Sequence, residues 1–173
     1  STYRERLQIL LNAVNRTIVG IGFWSALIIL PVMICVRVYE IVARNVFNTS
    51  SPLPQYLEWD LFLLLVFLTL GYAYVRGAHV RVDVIRDRLK PVIRNRIELV
   101  GLLLLIAPFV LVVIWFGIPF AIESFEMGEK AALTLGAPGR WIMKGAMSFG
   151  LILLLLAAVV AAVRTLAQRL DKE

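Results

Sequence analysis

Four long stretches of the chain carry no charged residue. They run over residues 17–36, 61–75, 99–122 and 145–163. An α-helix rises about 1.5 Å per residue, so about twenty apolar residues cross a hydrocarbon layer of about 30 Å. The second stretch reaches that length if residues 57–60 form its interfacial first turn. The pattern therefore predicts four membrane-spanning helices, at approximately 17–39, 57–75, 97–122 and 141–163.

The polar segments between the spans are expected to be short connections or interfacial helices. Leu7, Leu10, Leu11 and Val14 recur at the spacing of an amphipathic helix lying in the interface, although a plain helical lead-in to the first span fits equally well. The proline-rich NTSSPLP is expected to turn the chain into the second span after about Phe47. The expected fold is an all-α integral membrane protein of one domain, 1–173, with four transmembrane helices plus interfacial amphipathic helices. Its connecting segments are 1–16, 40–56, 76–96 and 123–140.

Composition excludes an ordinary soluble domain. Of the 173 residues, 60% are hydrophobic and only 17% are charged, which leaves too little polar surface to cover a soluble core and too little other sequence to bury four apolar helices. The first span is also longer than the apolar region of a secretory signal and runs into Arg37, Tyr39 and Glu40 without a small-residue cleavage site. We expect it to remain in the mature chain.

Lysine and arginine positions predict the orientation. Most of the 18 basic residues lie in segment 1–16, segment 76–96 and the C-terminal segment after residue 163, which are on one side of a four-span protein. The positive-inside rule places both termini and segment 76–96 in the cytoplasm. The net charge of +6 then reflects topology and contact with anionic phospholipids, and no nucleic-acid recognition module is visible.

Residue types needed for catalysis or ion transfer are scarce. Cys35 and His79 are each the only residue of their kind, which rules out a disulfide within the chain and a haem held by two histidines of this chain. No phosphate-binding loop or nucleophile elbow is present. The middle of each span lacks the ionisable residues that usually mark an ion or proton path. We therefore expect no enzyme activity and no cofactor, and expect any transport pathway to lie in another subunit.

Three segments resemble the DctQ-type small membrane subunit of tripartite ATP-independent periplasmic (TRAP) transporters. They are RNVFNTSSPLPQYLEWD at 44–60, LGYAYVRGAHVRVDVI at 70–85 and RNRIEL at 94–99. The family has an arginine and an aromatic residue followed by a proline turn and a Trp/Glu-rich start of span two. That span ends with a glycine and an R-x-x-H-x-x-x-D element, matched here by Gly71, Arg76, His79 and Asp83.

The resemblance implies a scaffold subunit in a bacterial inner membrane. It would bind a large multi-span subunit that carries the substrate and sodium sites and moves as an elevator, and it would help dock a periplasmic solute-binding protein that delivers an organic anion. Sodium coupling is thus expected in the large subunit. The alternative is a small self-assembling four-helix transporter or channel, and a membrane enzyme or haem subunit is a third, weaker interpretation.

Three groups of residues are candidate sites. A structural brace at the exit of span two, or a contact with the large subunit, is expected at Arg76, His79, Arg81 and Asp83. If the segment is helical, Arg76, His79 and Asp83 share a face; if it is extended, His79, Arg81 and Asp83 do. The candidate periplasmic interface comprises Arg44, Glu58, Glu123, Glu126 and Glu129. Membrane-interface anchors, with the lysine snorkelling, are Arg37, Trp59, Arg140, Trp141 and Lys144.

Overall fold

The computed structural model describes residues 2–49, 51–77, 91–129 and 139–170. Over these ranges the chain is helical and contains no strand, which confirms the all-α fold class. The elements are α1 (Thr2–Val46), α2 (Leu53–Val75), α3 (Pro91–Gly101), a π-helical turn (Leu102–Ile106), α4 (Ala107–Glu126) and α5 (Arg140–Leu170).

Four helical stretches are long and apolar enough to cross a membrane. They are Glu5–Val46, Leu53–Val75, Leu99–Glu126 and Arg140–Ala167. In the most apolar part of the last stretch 44% of residues are buried, against 6 to 17% in the other three. Apolar side chains therefore cover most of the outer surface, as they do where a protein faces lipid or another membrane subunit. The chain is a multi-pass membrane protein.

The segment predicted either to lie in the interface or to lead into span one is part of α1, which runs unbroken for 45 residues. At about 1.5 Å per residue α1 is about 68 Å long, well beyond the hydrocarbon thickness. Its first part is attached to α5, because the Arg164 guanidinium (Nη2) donates a hydrogen bond to Asn12 Oδ1 at 2.8 Å. This segment is therefore continuous with span one in a single helix, and its position in the membrane interface stays a prediction.

The third span contains a local irregularity between α3 and α4. The N–H of Ala107 donates to the carbonyl of Leu102, five residues earlier instead of four. Pro108 accounts for this turn, since proline has no N–H and its ring crowds the carbonyl four residues before it. The helix continues on both sides, so the backbone is helical without interruption from Pro91 to Glu126.

Helix α5 lies at the centre of the bundle and packs against α2, α4 and, less extensively, α1. Small residues let the backbones approach closely there. A Cβ added at Gly150 would lie 2.2 Å from the carbonyl oxygen of Phe67 on α2, and one added at Gly71 would lie 3.1 Å from the carbonyl oxygen of Leu153. The α2–α5 contact is thus a backbone-to-backbone crossing.

The helix directions bring two groups of residues to one end of the bundle. Helices α1 and α4 run toward this end, whereas α2 and α5 start from it, as pairing of Arg37 with Glu58 and of Phe125 with Trp141 shows. We call this the turn end, comprising residues 37–60 and 119–144 in so far as they are described.

Candidate functional site

Arg37 forms the first ion-pair cluster of the turn end. Its Nη1 donates to Glu40 Oε2 at 2.8 Å, one turn further along α1, and to Glu58 Oε2 at 3.0 Å on α2. The Arg37 side chain is 53% exposed, and pairs this open contribute only about 0 to 1 kcal/mol. The cluster therefore fixes the orientation of α2 relative to α1 more than it stabilises the fold.

A short turn places these two helices side by side. Helix α1 ends at Val46, and Asn48 adopts a left-handed φ of 49°, a conformation that asparagine tolerates better than most residues. The N–H of Thr49 then donates back to the carbonyl of Ala43 at 3.1 Å. Ser51 Oγ accepts from the N–H of Leu53 as α2 begins. The sequence NTSSPLP thus reverses the chain within a few residues.

The second ion-pair cluster is built on Glu129. Gly128, with φ of 57°, ends α4 in the left-handed conformation that glycine adopts freely. The N–H of Glu129 then donates to the carbonyl of Ser124 at 3.0 Å. Ser124 Oγ donates to Glu129 Oε2 at 2.6 Å, and Lys144 Nζ on α5 donates to the same oxygen. Arg140 Nη1 lies 3.4 Å from the other carboxylate oxygen.

The side chain of Lys144 points into this cluster. Its side chain is only 15% exposed, and its ammonium lies 3.6 Å from the centroid of the Phe120 ring. A carboxylate and an aromatic face therefore both contact the ammonium group. Snorkelling of Lys144 toward the membrane interface stays a prediction, and the structure adds that Glu129, just after the α4 terminus, is the carboxylate that its ammonium reaches.

The cluster lowers the pKa of Glu129 below its ordinary value of 4.5. The hydrogen bond from Lys144 is the largest cause, followed by the hydrogen bond from Ser124. Both favour the ionised carboxylate. Glu129 is therefore a charged acceptor that ties the end of α4 to the start of α5.

Some of the predicted interface residues form ion pairs, and others have no ion-pair partner among the described residues. Glu58 and Glu129 are held in the two clusters. Arg44, Glu123 and Glu126 are exposed and pair with no residue in the described ranges. Among the predicted anchors, Trp59 is exposed and Trp141 packs edge-on against Phe125, with ring centroids 5.2 Å apart.

Only one residue of the predicted brace is described. Arg76 caps the end of α2, and its guanidinium carbon lies 5.7 Å from the centre of the Tyr72 ring. His79, Arg81 and Asp83 lie outside the described residues.

Sequence reasoning missed Ser124 and Phe120 as partners of the second cluster. A serine four residues before a helix-ending glycine was the available signal for the first of them.

Within the part of the chain that the structure describes, no three histidine, cysteine, aspartate or glutamate side chains gather in a way that could hold a metal ion.

Comparison with family models gives a match to the family described as "Tripartite ATP-independent periplasmic transporters, DctQ component" over residues 33–168. The chain belongs to the DctQ family. This DctQ subunit is therefore the small component of a TRAP transporter and not an enzyme.

Both ion-pair clusters of the DctQ subunit fall within the matched residues, as do α2 to α5 up to residue 168. Family membership implies association with a large TRAP membrane subunit and a solute-binding protein. A search of curated proteins gave no match.

Proposed function

We propose that this DctQ subunit is a fixed scaffold in a bacterial inner membrane. It assembles with the large membrane subunit and helps to dock a periplasmic solute-binding protein during sodium-coupled uptake of organic anions. The observation that carries the proposal is the family match over residues 33–168. This assignment gives the chain a structural role and leaves the transport chemistry to its partner.

The distribution of charge supports a scaffold role. No lysine, arginine, aspartate or glutamate occurs in residues 17–36, 61–75, 99–122 or 145–163, and a path for sodium or a carboxylate through the membrane needs polar groups. The substrate and sodium sites therefore belong to the large subunit. The DctQ subunit contributes rigidity through its closely packed α2–α5 crossing.

The outward faces of the helices offer a surface for the large subunit. On α4, Trp115 and Phe116 are more than two-thirds exposed, and the principal helix partner of α4 within the described residues is α5. Exposed apolar surfaces of this kind pack against either lipid or another membrane helix. We place the large subunit against part of this surface.

Docking of the solute-binding protein is assigned to the turn end. The predicted orientation puts this end in the periplasm. Glu123 and Glu126 are exposed there without an ion-pair partner among the described residues. Two open carboxylates favour a basic patch on the incoming protein, since complementary charge accelerates association and fixes its register.

Uptake by reconstituted proteoliposomes tests the proposal. The large subunit is reconstituted alone and together with the DctQ subunit, with the solute-binding protein and an organic anion outside. We expect substantial uptake only when both membrane subunits are present, and only with an inward sodium gradient. Undiminished uptake by the large subunit alone would rule out the scaffold role, and uptake unaffected by replacing sodium with potassium would rule out sodium coupling.

A further inference from the structure

A groove of about 420 Å³ opens between the end of α1 and the start of α2. We call it the polar groove because charged and polar side chains form part of its lining, beside apolar ones. Arg44 and Glu40 provide its charged groups, and Tyr39, Thr49 and Gln55 add polar ones. Because α1 leaves the apolar span just before these residues and α2 enters its span just after them, the groove lies at the level of the membrane interface.

An apolar groove of about 330 Å³ adjoins it. The two grooves share Tyr39, Leu53 and Pro54. The apolar one adds Cys35 and Val36, which precede the shared residues on α1, and Leu57, which follows them on α2. Since α1 runs toward the turn end and α2 runs away from it, the apolar groove lies deeper in the membrane. The polar groove thus continues directly into the apolar groove along the helix pair.

The charges around the polar groove balance, but they are separated in space. Arg37 is shared between Glu40 and Glu58, so these three residues carry one excess negative charge. Arg44 pairs with no residue in the described ranges and supplies a positive charge on the same groove. The site is therefore locally neutral and offers a cation to a phosphate and a carboxylate to an ammonium group.

We propose that the two grooves together bind one phospholipid of the phosphatidylethanolamine class. Its phosphate is bound by Arg44, its primary ammonium group lies toward Glu40, and an acyl chain occupies the groove of Cys35, Val36 and Leu57. A lipid with a net negative headgroup would leave the excess carboxylate charge uncompensated. Arg44 is thereby assigned to lipid instead of the solute-binding protein, which was its predicted partner.

Competitive lipid retention tests the site. The purified DctQ subunit is equilibrated in detergent micelles containing equal amounts of phosphatidylethanolamine and phosphatidylglycerol, and bound lipid is measured by native mass spectrometry. We expect preferential retention of phosphatidylethanolamine. Arg44→Gln should lower that retention by about three- to tenfold, in keeping with loss of a charge-assisted hydrogen bond at an exposed site. The matched control is Arg96→Gln, which removes an exposed arginine from α3 and should leave retention unchanged.

A second variant tests the acyl groove without changing any charge. Val36→Trp fills that groove and should also reduce retention, while monodisperse elution and an unchanged helical content show that the variant is folded. Equal retention of the two lipids, or wild-type retention by both Arg44→Gln and Val36→Trp, would overturn the proposal. Displacement of the lipid by soluble phosphoethanolamine would also overturn it, because the phosphate site would then serve a soluble molecule.

Discussion

At the scale of single residues, the turn end depends on two side chains that each serve several partners. Arg37 donates to two carboxylates, and Glu129 accepts from Ser124, Lys144 and Arg140. The environments differ, because Arg37 is half exposed whereas Lys144 is largely covered and lies against Phe120. We therefore expect the Glu129 cluster to matter more for stability.

Acidification should weaken the Glu129 cluster. Because the folded-state pKa of Glu129 lies below its ordinary value of 4.5, the ionised carboxylate stabilises the folded chain above that pH, and this contribution is lost as the pH falls through the lowered folded-state pKa. Glu129→Gln removes the charge permanently. Thermal unfolding in detergent should show the wild type more stable than Glu129→Gln at about pH 7, with the difference shrinking as the pH is lowered below 4.5. A difference that does not change with pH would contradict the assigned role.

The open carboxylates of the turn end should control docking of the solute-binding protein. Glu123→Lys combined with Glu126→Lys reverses the local charge, so association with the assembled transporter should become several-fold slower and less sensitive to salt. Surface plasmon resonance at two ionic strengths measures both effects. Glu5→Lys provides the control, since Glu5 is an exposed carboxylate near the other end of α1. Equal slowing by the control would show that net charge, and not the turn end, is responsible.

At the scale of helices, the α2–α5 crossing holds the bundle together. Gly150 lies directly against the backbone of Phe67, so any side chain there forces the two helices apart. Gly150→Ala should destabilise the folded chain by about 1 to 3 kcal/mol through overpacking. Gly145 lies on the same helix, and a Cβ at that position would meet nothing within 4 Å. Gly145→Ala should therefore leave the unfolding midpoint unchanged or raise it slightly, because alanine favours helix. Equal destabilisation by both variants would argue against a close crossing.

Hydropathy alone was enough to predict the positions of the four spans, but not the contacts between the helices. Charge-free stretches indicated the four spans, and the proline-rich NTSSPLP indicated the turn after α1. The helical spacing of Arg37, Glu40 and Arg44 allows Glu40 to pair with either arginine. Only the packing of α2 places Glu58 beside Arg37 and leaves Arg44 on the groove. The Lys144–Glu129 pair was not predictable for a similar reason, because the two residues are fifteen positions apart and meet only through the turn at Gly128.

At the scale of the whole molecule, the predicted orientation can be tested directly. Cys35 is the only cysteine, so a Cys35→Ala background allows single cysteines to be placed at Thr49, in the turn end, or at Gln8, near the other end of α1. A membrane-impermeant maleimide added to intact spheroplasts should label the cysteine at position 49 and not the one at position 8. The reverse pattern would place the turn end in the cytoplasm and exclude it as a docking surface for a periplasmic protein.

We expect this DctQ subunit to function as part of a complex with a large membrane subunit. Affinity purification of the tagged chain from its native membrane in mild detergent, followed by mass spectrometry of what accompanies it, tests this assembly. We predict a stoichiometric multi-span membrane protein as the partner. Recovery of the chain alone as a homo-oligomer with ion or solute flux of its own would contradict the account and favour a small self-assembling transporter.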